Sequence, residues 1–371
     1  MKDQQEQGAL QLAVIVPVYN ERENAPRLVG ALEAALKGLR FEIIFVDDNS
    51  PDGTAETVRA MARTDARIRC LQRIGRRGLS SAVIEGMLAT AAPVIAVIDG
   101  DMQHDESRLP EMLNLLEARG VDVVVGSRYA EGGGFGDWSA RRRRMSEVAT
   151  ALAKRMTGVE LSDPMSGFFM LRAEALRPRV AELQGLGYKI LLDILSARGP
   201  ALSVAELPYE FRSRERGESK LDNKVLMEFA ELLISRSVGK YVPTKFVMFS
   251  MVGALGVVVH MVVLAALFQS GAGPVSFAWA QGIATLVALT ANFFVNNFFT
   301  YFDRQLHGWQ LLPGWLSFAA ASSVGAVANL GVAVYLFQTM DAVWFLSGIA
   351  GVIVGAAWNY AVTALYTWRI V

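Results

Sequence analysis

Two aspartates and a nearby glutamine are the residues of this chain best suited to bind a metal ion. Asp99 and Asp101 are separated by one glycine, and Gln103 follows two residues later, just beyond the apolar run 94–98. Carboxylates spaced in this way project from one turn. With a carboxamide they offer the hard oxygen ligands that Mg²⁺ or Mn²⁺ binds while leaving positions for diphosphate oxygens. Many acidic turns share this spacing, so it indicates a metal site only if the surrounding elements also fit one.

Two further apolar runs also end in polar residues. The run 12–19 leads into Asn20 and Glu21, and the run 41–46 leads into the acidic segment 47–52. Such runs alternate with amphipathic stretches, which is typical of βαβ units and a mainly parallel sheet. Ligands bind such sheets beyond the carboxyl ends of the strands, where these polar segments fall.

The predicted elements of the soluble half follow this alternation. Strands are predicted at 12–19, 41–46, 68–71, 94–98 and 121–125. Helices are predicted at 23–39, 54–63, 79–91 and 107–119. The predicted fold class is therefore α/β with a mainly parallel sheet.

Charge is balanced overall but unevenly distributed along the chain. The 371 residues include 36 Lys+Arg and 36 Asp+Glu, and this formal net charge of zero argues against a dedicated nucleic-acid binder. After residue 245 the charged residues are Asp303, Arg304, Asp341 and Arg369. This distribution predicts a charge-rich soluble domain joined to a membrane domain.

Four charge-poor stretches are long enough to cross a bilayer, which takes about 20 apolar residues per helix. They lie near 246–268, 275–300, 314–338 and 342–367. Basic residues precede the first span, separate the second from the third and follow the fourth, whereas the other two loops have none. We therefore expect an integral protein of the cell inner membrane, with the soluble half and both termini in the cytoplasm. The alternative is a buried helical bundle of a soluble protein.

Polar and small residues recur within these spans. Gly351 and Gly355 form a GxxxG pattern. The polar residues are His260, Asn292, Asn296, Asn297, Asn329 and Asn359. Helix packing and interhelical hydrogen bonding are the common use of such residues. A groove for a lipid or a polar path is the alternative.

Three segments are predicted: a cytoplasmic domain at 1–220, an amphipathic helix at 221–242 and a membrane domain at 243–371. In the middle segment Leu226 and Phe229 follow helical spacing with charged residues between them. Because it directly precedes the first span, we expect this helix to lie on the membrane surface. Packing against the sheet is the alternative.

Seven segments of the soluble half resemble the motifs of family 2 glycosyltransferases of the GT-A, Rossmann-like fold. They are PVYNERENAPRL, VDDNSPDGT, GLSSAVIEGM, DGDMQH, VVGSRY, SDPMSGFFMLR and FRSRERGESKL. They occur in family order between residues 12 and 221 and most resemble the dolichyl- and polyprenyl-phosphate mannosyltransferases. The four-span tail resembles the GtrA-like membrane domain. The Gln-x-x-Arg-Trp signature of processive members is missing from the sequence, which disfavours polymer synthesis.

The resemblance implies roles for the polar strand ends and for several cations. The donor nucleotide would be held by Pro17, Tyr19, Glu21 and Asp48. A divalent cation, Mg²⁺ or Mn²⁺, would be coordinated by Asp99, Asp101 and Gln103. The donor and acceptor phosphates would be bound by Arg128, Arg142, Ser146, Arg214 and Lys220. Catalysis would depend most directly on Asp99, Asp101, Arg128 and Arg214.

Several cations are needed in this reaction because a phosphate monoester must approach a nucleotide diphosphate, and both are anionic. The acceptor phosphate, with a second pKa near ~6, is largely ionised at neutral pH and needs no strong general base. His104 could still act as a base, or it could have a structural role. Residues 163–168 either shape the acceptor side or form a tight turn into a strand. In the run 141–144 we expect Arg142 to face inward and its neighbours to face solvent or lipid headgroups.

These expectations together describe an inverting, metal-dependent transfer of mannose from GDP-mannose to dolichyl or polyprenyl phosphate at the cytoplasmic membrane face. UDP-glucose is the closest alternative donor. The expected partners are the sugar nucleotide, the lipid phosphate and the membrane but no nucleic acid, and a homo-oligomer is compatible with them. Translocation of a lipid-linked sugar by the membrane domain is an alternative of a different class.

Overall fold

The computed structural model of the chain has two compact units, Met1–Leu232 and Leu233–Val371. Residues described by the structure are 9–131, 150–151, 153–155, 157–185, 187, 189–212, 223–239, 241–269, 277–339 and 344–368.

A seven-stranded sheet forms the centre of the first unit. The strands are β1 (Leu12–Val18), β2 (Phe41–Asp47), β3 (Ile68–Gln72), β4 (Val94–Val97), β5 (Val123–Ser127), β6 (Phe169–Arg172) and β7 (Val204–Pro208). Their order across the sheet is β3-β2-β1-β4-β6-β5-β7. Strand β6 is antiparallel to both of its neighbours, and all other pairs are parallel. This mainly parallel α/β sheet confirms the predicted fold class.

Helices connect most of the strands. They are α1 (Asn24–Ala35), α2 (Thr54–Ala62), α3 (Leu79–Leu88), α4 (Leu109–Ala118), α5 (Ala173–Leu176), α6 (Ile190–Ser196) and α7 (Asn223–Val238). Short 3₁₀ segments at Glu106–Arg108 and Arg177–Glu182 adjoin α4 and α5. The helical part of the predicted segment 221–242 is confirmed by α7, whereas its position on a membrane surface stays a prediction.

Apolar side chains on both faces of the sheet form two cores. All of β1 is buried, and its side chains alternate between the faces. Val14 and Val16 share one core with Leu28 of α1, whereas Ile15 shares the other with Val83 of α3. Strands buried on both faces read as continuous apolar runs, which is why the sequence reveals them so clearly.

The structure corrects several predicted boundaries. Helix α1 ends at Ala35 and not at residue 39, because Gly38 has a left-handed φ of 91° that a helix cannot continue through. Helix α3 ends at Leu88 and not at residue 91. Strand β7 was not predicted, because its five residues include a glutamate and a proline, which are depleted in strands.

The second unit contains long apolar helices. They are α8 (Thr244–Gln269), α9 (Phe277–Val295), α10 (Leu311–Thr339) and α11 (Trp344–Val362), with π-helical turns at Asn296–Thr300 and Thr363–Thr367 and a 3₁₀ turn at Gly308–Gln310. Within the described part of the chain, four candidate spans are long and apolar enough to cross a bilayer. The four predicted spans are therefore confirmed.

The helices α8–α9 and α10–α11 form two hairpins with the same internal contact. In the first, a side chain added at Gly256 would overlap the carboxamide of Asn292. In the second, a side chain added at Gly325 would overlap the carboxamide of Asn359. Gly355 of the GxxxG pattern also lies against the backbone of Gly325, where an added Cβ would be 2.9 Å from its carbonyl oxygen. These contacts support the helix-packing interpretation of the small and polar residues.

The carboxyl ends of the two hairpins also correspond. Each second helix ends in a five-residue π-helical turn followed by an aromatic residue, Tyr301 or Trp368. These two rings stack on each other with centroids 4.1 Å apart and planes 10° apart. The Trp368 indole N–H also donates to Asn297 Oδ1 (3.0 Å). The second hairpin thus repeats the first, and the repeated ends pack together.

Candidate functional site

Three strands that neighbour each other in the sheet are each followed by a non-glycine residue with left-handed backbone. Asn20 lies beyond β1, Asn49 beyond β2 and Met102 beyond β4, with φ of 60°, 59° and 65°. They are the non-glycine residues with positive φ in the described part of the chain. Left-handed backbone is uncommon for such residues and clusters at functional sites. This carboxyl edge of the sheet is therefore the place to examine the predicted site residues.

The predicted nucleotide-binding residues lie together at the ends of β1 and β2. Pro17 and Tyr19 flank the last residue of β1, and Asp48 directly follows β2. The Asp48 N–H donates to Val18 O (3.2 Å), and the Glu21 N–H donates to Thr54 Oγ1 at the start of α2 (3.0 Å). These bonds join the loops that follow the two strands.

Asp48 is held by groups from the loop after β3. Its Oδ2 accepts from the Gly78 N–H (2.8 Å), and its Oδ1 lies 3.0 Å from Nη1 of the buried Arg73. Burial raises the pKa of the Asp48 carboxyl, whereas the Gly78 bond and the Arg73 charge act in the opposite direction. Arg77 of the same loop places its guanidinium 4.6 Å from the centre of the Tyr19 ring. Sequence reasoning missed both arginines.

The turn after β4 lies against the end of β1. A Cβ added at Gly100 would be 2.7 Å from Val18 Cγ1 and 3.6 Å from Pro17 O, so only glycine fits there. Gln103 is tied to the chain beyond β7. Its Nε2 donates to Arg212 O (3.1 Å), and the Arg212 N–H donates to Gln103 O (2.9 Å). The acidic turn is thus fixed at both of its ends.

Asp99, Asp101 and Gln103 could hold a divalent cation. The Asp99 side chain is 32% exposed at the open edge of the sheet, so a ligand can reach it. Across the described residues no group of three or more His, Cys, Asp and Glu side chains forms a complete metal cage. The available donors are two carboxylates and an amide oxygen. They fit Mg²⁺ or Mn²⁺, which bind proteins through few carboxylates and take further ligands from water and substrate phosphates.

His104 is buried behind the acidic turn. Its Nδ1 accepts from the Asp99 N–H (3.2 Å), and its Nε2 lies 3.7 Å from Asp99 Oδ2. Its ring stacks on Phe168, with centroids 5.4 Å apart. Burial lowers the pKa of His104 to about 4, so the ring is neutral at neutral pH. A neutral ring whose Nδ1 lone pair is already engaged favours the structural role over that of a base.

Arg128 forms a two-point ion pair with Asp163. The carboxylate accepts from Nε (2.7 Å) and from Nη2 (3.0 Å), in the fork geometry that fixes a guanidinium most firmly. Burial lowers the pKa of Arg128, but the Asp163 charge and hydrogen bonds outweigh it and the net shift is upward. Arg128 is therefore a permanent cation with a fixed orientation.

The segment that carries Asp163 is both a turn and part of this site. The Ser166 N–H donates to Asp163 O (3.2 Å), and the chain then continues into β6. A Cβ added at Gly167 would lie 3.1 Å from Asp99 Oδ2, so this turn also lies beside the Asp99 carboxylate. The two alternatives for residues 163–168, a tight turn or a part of the site, are thus compatible.

The structure brings together eight of the predicted site residues at one edge of the sheet. They are Pro17, Tyr19, Glu21, Asp48, Asp99, Asp101, Gln103 and Arg128. The other predicted site residues, Arg142, Ser146, Arg214 and Lys220, lie outside the described residues.

Comparison with known proteins identifies both units of the chain. Residues 13–179 match the family described as glycosyl transferase family 2, and residues 248–368 match the GtrA/DPMS transmembrane domain. The dolichol-phosphate mannosyltransferase of Pyrococcus furiosus is 31% identical over 361 residues, which cover 97% of this chain and 99% of that protein. The enzyme of the same name from Saccharomyces cerevisiae is 35% identical over 65% of this chain and 92% of its own length. The polyprenol monophosphomannose synthase of Mycolicibacterium smegmatis is 33% identical over 58% of this chain and 82% of its own length.

The similarity to these relatives extends from the α/β sheet through the last membrane helix. It agrees with the sequence motifs, with the fold and with the arrangement of the strand ends. The chain therefore belongs to glycosyl transferase family 2, as a membrane-bound GT-A glycosyltransferase that carries a GtrA/DPMS transmembrane domain.

Proposed function

We propose that this enzyme transfers mannose from GDP-mannose to dolichyl or polyprenyl phosphate, with inversion at the sugar carbon and with a divalent cation. Transfer of mannose to a polyprenyl phosphate accords with the names of the relatives, one of which matches almost the whole chain. The donor nucleotide, the cation and the stereochemistry rest on the motifs and on the chemistry of the strand ends.

One juxtaposition carries the proposal. Gly167 of the turn 163–168 lies beside the Asp99 carboxylate, and Asp163 of the same turn holds Arg128. A cation site for the donor diphosphate and a fixed arginine for a phosphate would therefore adjoin each other. This is the arrangement that a transfer between a nucleotide diphosphate and a phosphate monoester requires.

On the donor side, Tyr19 and Asp48 offer a ring and a carboxylate for the base and ribose. Asp99, Asp101 and Gln103 would hold the cation. When bound, a divalent cation supplies positive charge that stabilises the departing diphosphate. Asp48 reaches this position already held by Gly78, so little ordering is needed when the nucleotide binds.

On the acceptor side, Arg128 would bind the lipid phosphate and orient one of its oxygens toward the sugar. That oxygen forms a bond to the anomeric carbon while the bond from this carbon to the nucleotide diphosphate breaks on the opposite face, which inverts the configuration. The attacking phosphate is already ionised at neutral pH, so no side chain has to remove a proton. The buried His104 is consistent with this, because its Nδ1 lone pair already accepts from the Asp99 N–H and its lowered pKa makes the ring a weak base.

Assignments for four further residues and for the membrane face complete the proposal. Arg142, Ser146, Arg214 and Lys220 are assigned to the phosphates on their motifs alone. The soluble unit is assigned to the cytoplasmic face of the inner membrane, because basic residues flank that side of the spans. A membrane domain suits an acceptor whose reactive head is polar and whose tail is lipid.

The test uses membranes that contain the full chain, mixed with polyprenyl phosphate and with either GDP-mannose or UDP-glucose. We expect a mannosyl phospholipid from GDP-mannose, in the opposite anomeric configuration to the donor, and loss of its formation when a chelator removes divalent cations. A glucosyl lipid from UDP-glucose alone would replace the proposed donor. Retention of configuration would contradict the single-displacement step, and full activity in the chelator would contradict the cation.

A further inference from the structure

Glu206, in the middle of β7, binds the turn that holds Arg128. Its Oε1 accepts from the Ser162 N–H (2.8 Å), from Ser162 Oγ (2.7 Å) and from the Asp163 N–H (3.1 Å). Hydrogen bonds to an ionised carboxylate are about twice as strong as neutral ones. A single carboxylate oxygen thus fixes the two residues at the start of this turn.

Asp163 transmits this constraint to the arginine. Its backbone N–H is bound by Glu206, and its fully buried carboxylate receives Nε and Nη2 of Arg128. The position of the Asp163 main chain sets the position of its carboxylate. The carboxylate in turn sets the plane of the guanidinium.

A second route runs through two serine hydroxyls. Because a carboxylate can only accept, the Ser162 hydroxyl donates its proton to Glu206. The Ser127 hydroxyl, 2.5 Å from Ser162 Oγ, therefore donates to Ser162. Ser127 Oγ also accepts from the N–H groups of Tyr129 (3.2 Å) and Ala130 (3.1 Å). The backbone turn that carries Arg128 is thus tied to the same carboxylate.

The strand pairing places Glu206 where it can serve both routes. Strands β5 and β7 are parallel, with Glu206 beside Val125, two residues before the fully buried Ser127. Its neighbours on the strand, Ala205 and Leu207, are buried in the core, so Glu206 projects from the opposite face. Glutamate is depleted in strands, and here its carboxylate is used by three donors.

We propose that Glu206 is a positioning residue for Arg128, acting through Asp163 on the guanidinium and through Ser162 and Ser127 on the backbone. The inference rests on the proposed function, in which Arg128 binds the acceptor phosphate. It assigns acceptor recognition partly to a residue on a strand that none of the sequence motifs includes.

The test compares Glu206→Ala with Glu206→Gln in the full chain in membranes. The alanine variant removes all three hydrogen bonds, so we expect the KM for polyprenyl phosphate to rise about tenfold or more. The dissociation constant for GDP-mannose, measured by nucleotide titration, should not change. The glutamine variant keeps an amide oxygen for the three donors and should restore most of the acceptor affinity.

Asp122 provides the matched control. Its Oδ2 accepts from the N–H (2.8 Å) and the hydroxyl (2.7 Å) of Ser203 at the opposite end of the same two strands. Asp122→Ala therefore removes the same kind of bonds away from Arg128 and should leave the acceptor KM unchanged. An equal rise in this variant, or an unchanged KM in Glu206→Ala, would overturn the inference.

Two further measurements keep the inference testable. If Glu206→Ala does not fold, Ser162→Ala can replace it, because this variant removes only the hydroxyl link. It should still raise the KM for the acceptor, and an unchanged KM would contradict the inference. Hydrogen exchange at the Tyr129 and Ala130 amides should be faster in Glu206→Ala or in Ser162→Ala than in the wild type, whatever the substrate. A wild-type enzyme without transfer to lipid phosphate would refute the proposed function, whereas unchanged exchange would refute only the role of Glu206.

Discussion

Replacing Gly167 by alanine should weaken cation binding without unfolding the domain. The Cβ of alanine would lie 3.1 Å from Oδ2 and 3.6 Å from Oδ1 of Asp99, and 3.4 Å from Cε1 of His104. The backbone of Gly167 is not left-handed, so alanine is compatible with its conformation. The perturbation is therefore confined to the position of one carboxylate.

The size of the effect follows from these distances. The van der Waals contact between carbon and oxygen is about 3.4 Å, so the Asp99 carboxylate must move by about 0.3 Å. It is blocked on one side by the buried His104 and moves toward solvent. Metal–ligand distances tolerate shifts of only about 0.2 Å, and displaced supporting contacts typically cost about 10–100-fold in metal affinity. We therefore expect the activation constant for Mn²⁺ to rise by about one to two orders of magnitude.

The assay is mannosyl transfer in membranes at increasing Mn²⁺, with nucleotide and lipid phosphate held constant. Gly30→Ala is the matched control, because no atom lies within 4 Å of a Cβ at that exposed helical position. It should leave the activation constant unchanged and raise stability slightly. Wild-type Mn²⁺ activation in Gly167→Ala, with rates that respond normally to acceptor, would refute the placement of the cation at Asp99.

Two further predictions concern stability. Because His104 has a pKa of about 4 in the folded chain against 6.5 as a free side chain, the unfolded state binds its proton first as the pH falls. Above pH 6.5 the neutral His104 ring costs the folded state no stability. As the pH is lowered toward 4, the free energy of unfolding falls by up to about 3 kcal/mol because the unfolded state takes up the proton more readily. Thermal unfolding of His104→Gln should therefore depend less steeply on pH than that of the wild type. Parallel pH profiles would contradict this. Gly256→Ala and Gly325→Ala should each destabilise their hairpin by about 1–3 kcal/mol, as measured by thermal unfolding in detergent. Gly253→Ala and Gly331→Ala are the controls, because both positions have open space around an added Cβ, and they should not destabilise the protein. Equal effects of all four variants would contradict the hairpin contact.

The fold was predictable where the signal is local and strong. The buried strand β1 is a continuous apolar run, β2 is apolar except for Glu42 and Asp47, and the membrane spans are long and almost free of charge. Strands β6 and β7 have only four and five residues, and they carry Arg172 and Glu206. Their length is not the reason that they were harder to predict, because the predicted strands β3 and β4 are equally short, but the pairing of β6 and β7 with β5 depends on residues far away in the chain. The repeat of the membrane hairpins became clear only from their contacts.

The candidate site was predictable in its residue types but not in its supporting contacts. Asp99 and Asp101 are visible because only Gly100 separates them in sequence and they follow an apolar run. The partner of Arg128 lies 35 residues away, and Glu206 lies more than 40 residues from the turn that it binds. Contacts over such separations leave no local pattern. The role of His104 was equally hidden, since it depends on burial and on a single backbone hydrogen bond.

The most direct test of the account is the initial rate of mannosyl phospholipid formation from GDP-mannose and polyprenyl phosphate, measured for wild type and Asp101→Ala at equal amounts of membrane protein. We expect mannosyl phospholipid from the wild type and a loss of at least about 100-fold in the variant, because the charge that stabilises the departing diphosphate can no longer be held. Asp101→Ala with the wild-type rate, or a wild type that forms no mannosyl lipid, would contradict it.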